Sequence, residues 1–324
     1  MSVDGLLVWA LLDDRAGNRA QAEGVAGTLT TDFVPIEIEY GVAAGLPNAL
    51  IGASLTGVKP QSRTVLRPPW PDLVIAAGRR TGPVARWIKH QSGGKTRLVQ
   101  IMDPGAAQGD FDLICKPAHD KSDKDKDAGN IFIIDAAPHR LTAATLKMAR
   151  DAWAERVAPY PAPRIALLIG GSTKRRTFTD AMAASLCGQV LETATNRGAS
   201  ILATTSRRTG KVVETIAAML IDRTLLYRWD QPGENPYLGF LAHADAIVVT
   251  GESVSMCSEA CSLGKPVYVF APPALIGGKH ARLHRRLFDG GFARPFIGEI
   301  DFDWSPPTLD VAADIVSAIK SRLL

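Results

Sequence analysis

AIVVTGESVSMCSEACSLGKPVYVF, residues 246–270, contains a strand, a turn, a helix and a second strand in one short passage. Its opening run is β-branched and apolar with no polar alternation, the pattern of a strand covered on both faces in a parallel sheet. Gly251, Glu252 and Ser253 form the turn, and a helix begins near Val254. At 100° per residue, Ser255, Ser258, Glu259 and Ser262 share one helical face, while Met256, Ala260 and Leu263 share the next. Gly264 ends the helix and Pro266 opens the following strand.

The same alternation extends to both ends of the 324-residue chain. Strands are predicted at 164–170, 200–206, 224–229, 246–251 and 266–270, and earlier at 5–10, 33–38, 72–77, 97–102, 111–116 and 130–135. Helix-like stretches separate them, so the fold class is α/β with parallel sheets covered by helices. VAPYPAPR (157–164) places three prolines together and reads as a linker. Two Rossmann-like domains follow, 1–156 and 162–307, since one core rarely grows to this length. In 308–324, Val311, Ile315, Ile319 and Leu323 recur every fourth residue, with Val316 beside them. That stripe predicts an amphipathic helix, which needs an apolar partner and is expected to return to the first domain.

Composition narrows the class further. Hydrophobic residues make up 46% of the chain and net charge is only +4. Disorder is excluded, and no basic patch with interleaved aromatics points to nucleic acid. No apolar run approaches the roughly 20 residues that cross a bilayer, and the opening residues lack a signal-peptide pattern. A cytoplasmic location is expected. Cys257 and Cys261 stand four apart, but no further Cys or His cluster completes a metal set, so no metal and no cofactor are expected. The charged stretch 121–129 reads as a solvated loop.

In open parallel sheets, ligands bind beyond the carboxyl ends of the strands. Three loops there carry candidate chemistry. In LLIGGSTKRRTF (167–178), Gly170 and Gly171 let the backbone approach an anion, Ser172 and the following amides can donate, and Lys174 and Arg175 add charge. The spacing is not that of a P-loop. In ATTSRRT (203–209), Ser206 is followed by Arg207 and Arg208, which can grip phosphate or carboxylate. In the opening passage, Gly251, Glu252, Ser253, Val254, Ser255 and Met256 surround a helix N-terminus suited to phosphate, and Glu259 can accept from a sugar hydroxyl. Helix capping alone would also account for Ser253 and Ser255. Glu234 and Asn235 precede another helix near Pro236, a residue suited to the first helical turn. In the first half, DDRAGNRAQ (13–21) supplies Asp14 as the candidate base, ahead of Asp13 and Asp103.

DDRAGNRAQAEG, DLVIAAGRRTGPVARWIK, QIMDP, IGGSTKR, TTSRRT, GENPYLGFLAHADAIVVTGESVSMCSEACSLGKPVY and KHARLHRRLF occur in order over nearly the whole chain. Together they resemble the mitochondrial fission family known from plants, the elongated-mitochondria type, and its bacterial relatives. That family is similar in turn to GT-B glycosyltransferases. The resemblance implies two Rossmann-like domains in GT-B arrangement, with a nucleotide-activated sugar or other phosphate-bearing small molecule held between them. It places Gly171 and Ser172 near phosphate, Ser253 to Met256 at the diphosphate and Glu259 on the ribose. It implies a role in envelope or lipid-linked glycan metabolism, or alternatively a non-catalytic scaffold in membrane division. DDRAGN departs from the glycine-rich turn with a catalytic His found in glycosyltransferases. A nucleoside-diphosphate-sugar epimerase fits poorly, because neither a GxGxxG opening nor a Tyr-x-x-x-Lys pair occurs.

The stretch 45–63 places Leu46, Leu50, Ile51, Leu55 and Val58 at helix-like spacing, with Lys59, Arg63 and Arg67 close behind. That pattern predicts an interfacial helix bound weakly to anionic lipid on the inner face of the membrane. An ordinary core helix is the alternative.

Overall fold

The computed structural model describes residues 5–120 and 128–324. It contains two compact units, one formed by Met1–Arg140 with Asp310–Leu324 and the other by Leu141–Leu309. The expected loop at 121–129 lies mostly outside the described residues.

The first unit is built on six parallel strands in the order β2-β1-β3-β4-β5-β6. They are β1 (Val8–Asp13), β2 (Val34–Ile38), β3 (Leu73–Ala77), β4 (Arg97–Ile101), β5 (Leu113–Pro117) and β6 (Ile131–Ile134). Its helices are α1 (Ala16–Leu29), the short α2 (Asn48–Ile51) and α3 (Pro60–Arg63), and α4 (Thr81–Gln91). Trp9, Leu11, Val74, Ala76, Ile88, Leu98 and Ile114 meet in its core. Strand β1 starts three residues later than expected and reaches Asp13, whose carboxylate is buried.

The second unit begins with α5 (Ala143–Val157), ahead of the prolines. Trp153 of α5 and Phe240 of α8 (Tyr237–His243) pack edge to face, with ring centroids 5.8 Å apart. This contact carries α5 into the second unit, so the boundary lies at 140/141 and not at the proline-rich stretch. The sheet order is β12-β11-β10-β7-β8-β9. These strands are β7 (Arg164–Ile169), β8 (Ser200–Thr205), β9 (Thr224–Tyr227), β10 (Ala246–Thr250), β11 (Val267–Phe270) and the two-residue β12 (Arg294–Pro295). Helices α6 (Asp180–Arg197), α7 (Val213–Met219), α9 (Val254–Cys261) and α10 (Gly278–Asp289) complete it. Cys257 and Cys261 lie on the buried side of α9. Burial pushes the Cys261 thiol up to about 12, the behaviour of a packing residue.

The last helix, α11 (Val311–Leu323), packs on α1 and β6 of the first unit. Asp310 caps it by accepting from the Ala313 amide at 3.0 Å. Ile315 and Ile319 are fully buried.

The stretch 45–63 is not one helix. Two short helical turns replace it, because Pro47 and Pro60 start new turns while Gly52 and Gly57 take positive φ. Ile51 and Val58 are buried, whereas Leu46 and Leu50 point outward.

Candidate functional site

In the second unit the carboxyl ends of β7, β8 and β10 bring three loops together. Gly170 and Gly171 follow β7 and run against Glu252. A Cβ on Gly170 would overlap the Glu252 carboxylate, and one on Gly171 would strike the Arg208 carbonyl. Gly171 also takes φ +149°, where other residues are strained. Only glycine fits this double approach.

The loops are bonded into one block. The Gly170 amide donates to Thr250 Oγ1 at 2.8 Å, and the Gly171 amide to Glu252 Oε1 at 2.6 Å. The Ser172 amide donates to the Arg208 carbonyl at 3.0 Å, and that of Thr173 to the Arg176 carbonyl at 2.8 Å. The Ser206 hydroxyl donates to the Gly170 carbonyl at 2.6 Å and accepts from the Arg208 amide at 3.2 Å. The Ser172 hydroxyl accepts from the Phe178 amide at 3.0 Å. This corrects the expectation for the first loop, since the amides of Gly170 to Thr173 serve the fold and do not point to an incoming anion. Lys174 and Arg175 remain exposed at its tip.

Glu252 has a fully buried side chain. Burial raises its carboxyl, against the Gly171 amide and the Arg208 guanidinium 3.3 Å away. Its second oxygen, Oε2, has no hydrogen-bond partner. Behind it, His284 of α10 sits with Nε2 at 2.7 Å from the Gly251 carbonyl. A carbonyl only accepts, so Nε2 carries the proton. A Cβ on Gly251 would strike the His284 ring. His280, one turn earlier, buries Nδ1 without a hydrogen-bond partner, and burial together with the Arg208 charge lowers its basicity. Sequence reasoning missed both histidines, because KHARLHRRLF reads as a basic amphipathic helix.

Helix α9 begins at Ser253, whose hydroxyl makes no capping bond, so the first-turn amides of Val254, Ser255 and Met256 have no side-chain cap. Ser255 is exposed and Met256 half-buried. The polar face is narrower than expected, because Ser258 and Ser262 donate to their own helix carbonyls at 2.7 and 2.8 Å. Glu259 stays half-buried and accepts from the Tyr237 hydroxyl at 2.5 Å. Burial and the Glu259 charge hold that phenol well above its ordinary value, so Tyr237 remains a donor. Asn235 precedes α8, whose N-cap is Pro236, and accepts from the Tyr237 amide at 3.0 Å, while Glu234 is exposed.

Beside these loops a cavity of about 360 Å³ is lined by Ser206, Arg207, Thr209, Lys211, Arg228 and Trp229, among others. Trp229 is 49% exposed, and its amide is anchored to Thr205 Oγ1 at 3.0 Å. A lone Trp after a strand carries no sequence signal of its place beside this cavity.

In the first unit, Asp13 is buried at the end of β1 and accepts from Asn18 Nδ2 at 2.6 Å and the Arg15 amide at 3.1 Å. Arg80 pairs with both Asp13 and Asp14 and lies 4.6 Å over the Tyr40 ring. Burial raises the Asp14 carboxyl, but the Arg80 hydrogen bond, with Asp13 and Arg15, outweighs it and leaves Asp14 below its ordinary value. A carboxylate so held is ionised but a weak proton acceptor. Asp103 binds the Gly105 amide at 2.7 Å and Lys116 at 3.3 Å. Among the described residues, no group of three or more His, Cys, Asp or Glu is placed to hold a metal ion.

The fold resembles those of a solved UDP-GlcNAc 2-epimerase and a solved glycosyl transferase. The UDP-GlcNAc 2-epimerase of Methanocaldococcus jannaschii superposes with a TM-score of 0.56 at 14% identity, covering 98% of this chain and all of that one. A glycosyl transferase family 9 protein of Veillonella parvula gives 0.51 at 9% identity, over all of this chain and 98% of that one. The architecture is that of GT-B glycosyltransferases. In sequence, an uncharacterized protein of Rickettsia prowazekii is 30% identical over 98% of both chains. The mitochondrial fission protein ELM1 of Arabidopsis thaliana is 29% identical over 88% of this chain and 71% of its own length. Residues 16–323 match the mitochondrial fission ELM1 family, and the chain belongs to it.

Proposed function

We propose that the second unit binds a nucleotide-activated sugar beyond the carboxyl ends of its strands, and that the chain transfers the sugar as a glycosyltransferase. The observation that carries this reading is Glu259, held by Tyr237 and set beside the uncapped start of α9. The helix terminus offers amides to a diphosphate, and Glu259 accepts from ribose hydroxyls. Arg207 and Lys211 supply positive charge, and the exposed Trp229 face gives a nucleobase something to stack on. The fold shared with an enzyme named for UDP-GlcNAc supports the ligand class. The acceptor proton is assigned to Asp14, whose pairing with Arg80 makes it a slow base.

That weakness favours a second reading, a nucleotide-binding scaffold without transferase chemistry, in keeping with the plant relative's name. Under either reading we infer that the protein works in the cytoplasm, at most peripherally on the inner face of a membrane.

Calorimetric titration with UDP-GlcNAc, UDP and GDP tests the shared claim. Binding is expected, with Glu259→Ala and Trp229→Ala each weakening it about tenfold or more. No binding of any nucleotide by folded protein sinks the proposal. If nucleotides bind, UDP release in the presence of polyprenyl-linked acceptors separates transferase from scaffold. Recovery of a C2-epimerised sugar would instead indicate an epimerase, since the missing dinucleotide motifs argue only against the dinucleotide-dependent kind.

A further inference from the structure

Residues 41–50 form a platform whose apolar side chains face outward. Val42 is 99% exposed, Leu50 77% and Leu46 47%. The backbone beneath them is firmly held. Asn48 is buried and donates to the Arg79 and Pro104 carbonyls, both at 2.6 Å. Arg79 returns donors to the Leu46 carbonyl at 2.6 Å and the Ala44 carbonyl at 3.1 Å. The Gly41 amide donates to the Gly57 carbonyl at 2.8 Å, which lays 55–63 alongside. Buried polar contacts thus fix a surface of large apolar groups, an arrangement that soluble surfaces seldom keep without a partner.

Charge says which partner. Residues 40–71 contain Lys59, Arg63 and Arg67 and no acidic residue, while Glu39 just ahead of them pairs with Lys59 at 2.9 Å and leaves Arg63 and Arg67 as the cations that give the face its charge. All three cations are exposed, and Arg63 reaches back to the Val58 and Leu55 carbonyls beside the platform. We propose that this face docks on an anionic lipid bilayer, with Val42, Leu46 and Leu50 entering the headgroup region and Arg63 and Arg67 meeting lipid phosphates. No described helix is long and apolar enough to cross a membrane, so the attachment is peripheral. It involves none of the residues assigned to nucleotide and stands or falls separately from that reading.

Co-sedimentation tests it. Full-length protein is mixed with vesicles of dioleoylphosphatidylcholine alone, or of equal parts dioleoylphosphatidylcholine and dioleoylphosphatidylglycerol. Wild type is expected to pellet with the mixed vesicles only, and less so as salt rises. Val42→Asp and Leu50→Asp alter exposed side chains and keep the fold, and each is expected to weaken binding about tenfold. Arg63→Gln/Arg67→Gln lowers the salt sensitivity, and Glu259→Ala pellets like wild type. The proposal is overturned if wild type ignores the mixed vesicles or if the Asp variants bind as well as it does. It is equally overturned if ultracentrifugation shows a wild-type dimer that Leu50→Asp abolishes, because a second copy then covers the face.

Discussion

His284 stays neutral because it is shut inside the second unit, with burial lowering its basicity more than the Gly251 carbonyl restores it. An unfolded chain protonates the same ring near 6.5. The folded state therefore binds fewer protons below that value, so stability is complete above about pH 6.5 and declines as the solution is acidified. His243 and His280 are shifted the same way, both chiefly by burial. The melting temperature is expected to drop between about pH 7 and about pH 5, and His284→Gln to flatten part of that slope. The Gln amide can still donate to the Gly251 carbonyl, so the variant is expected to keep most of its stability at about pH 7 while losing the titration. An unchanged slope in the variant would place the acid sensitivity elsewhere. The loops around His284 show how far individual residues could be read. Gly170, Gly171 and Glu252 stand out by type and by position at strand ends, and Glu259 as a charge within a short helix. What they bond to is set by chains far apart in sequence, so the engaged amides and Tyr237 were not legible.

Among elements, α11 was readable because its stripe has the helical period and its buried face follows that stripe. Replacing Ile319 by Ala is expected to cost about 2–5 kcal/mol, read by urea denaturation, because a fully enclosed side chain leaves a cavity. A cost near zero would mean that the helix is loosely docked. The segment 45–63 failed under the same reasoning. Its apolar spacing also suits a helix, but Pro47, Gly52, Gly57 and Pro60 divide it. Those breakers outweigh a periodicity carried by five side chains. Strand β1 slipped for another reason. Asp13 looks like a loop residue until Asn18 and Arg80 are seen around its carboxylate. Helix α5 was placed in the wrong half because prolines mark a turn, and its contact with α8 decides the unit.

On the scale of the whole molecule, the second unit is a continuous stretch of chain with its own core of Leu167, Phe178, Leu186, Ile201, Val248 and Tyr268. The fragment 141–309 is expected to fold alone, melt cooperatively and bind the same nucleotides as the intact protein. The fragment 1–140 is expected to aggregate, since α1 and β6 lose the cover of α11. Circular dichroism and light scattering on the two fragments check this, and a soluble, cooperatively melting 1–140 would refute it.

The return of α11 also sets an order of events during synthesis. At about 5–20 residues per second, the ribosome spends some 10–30 s producing 141–309 after the first six strands have emerged. Through that interval the apolar sides of α1 and β6 wait uncovered, and at its end the later unit has every residue it needs while α11 is still to be made. The portion translated first is therefore the portion completed last, and it is the one most dependent on chaperones and most sensitive to a stalled or prematurely ended message.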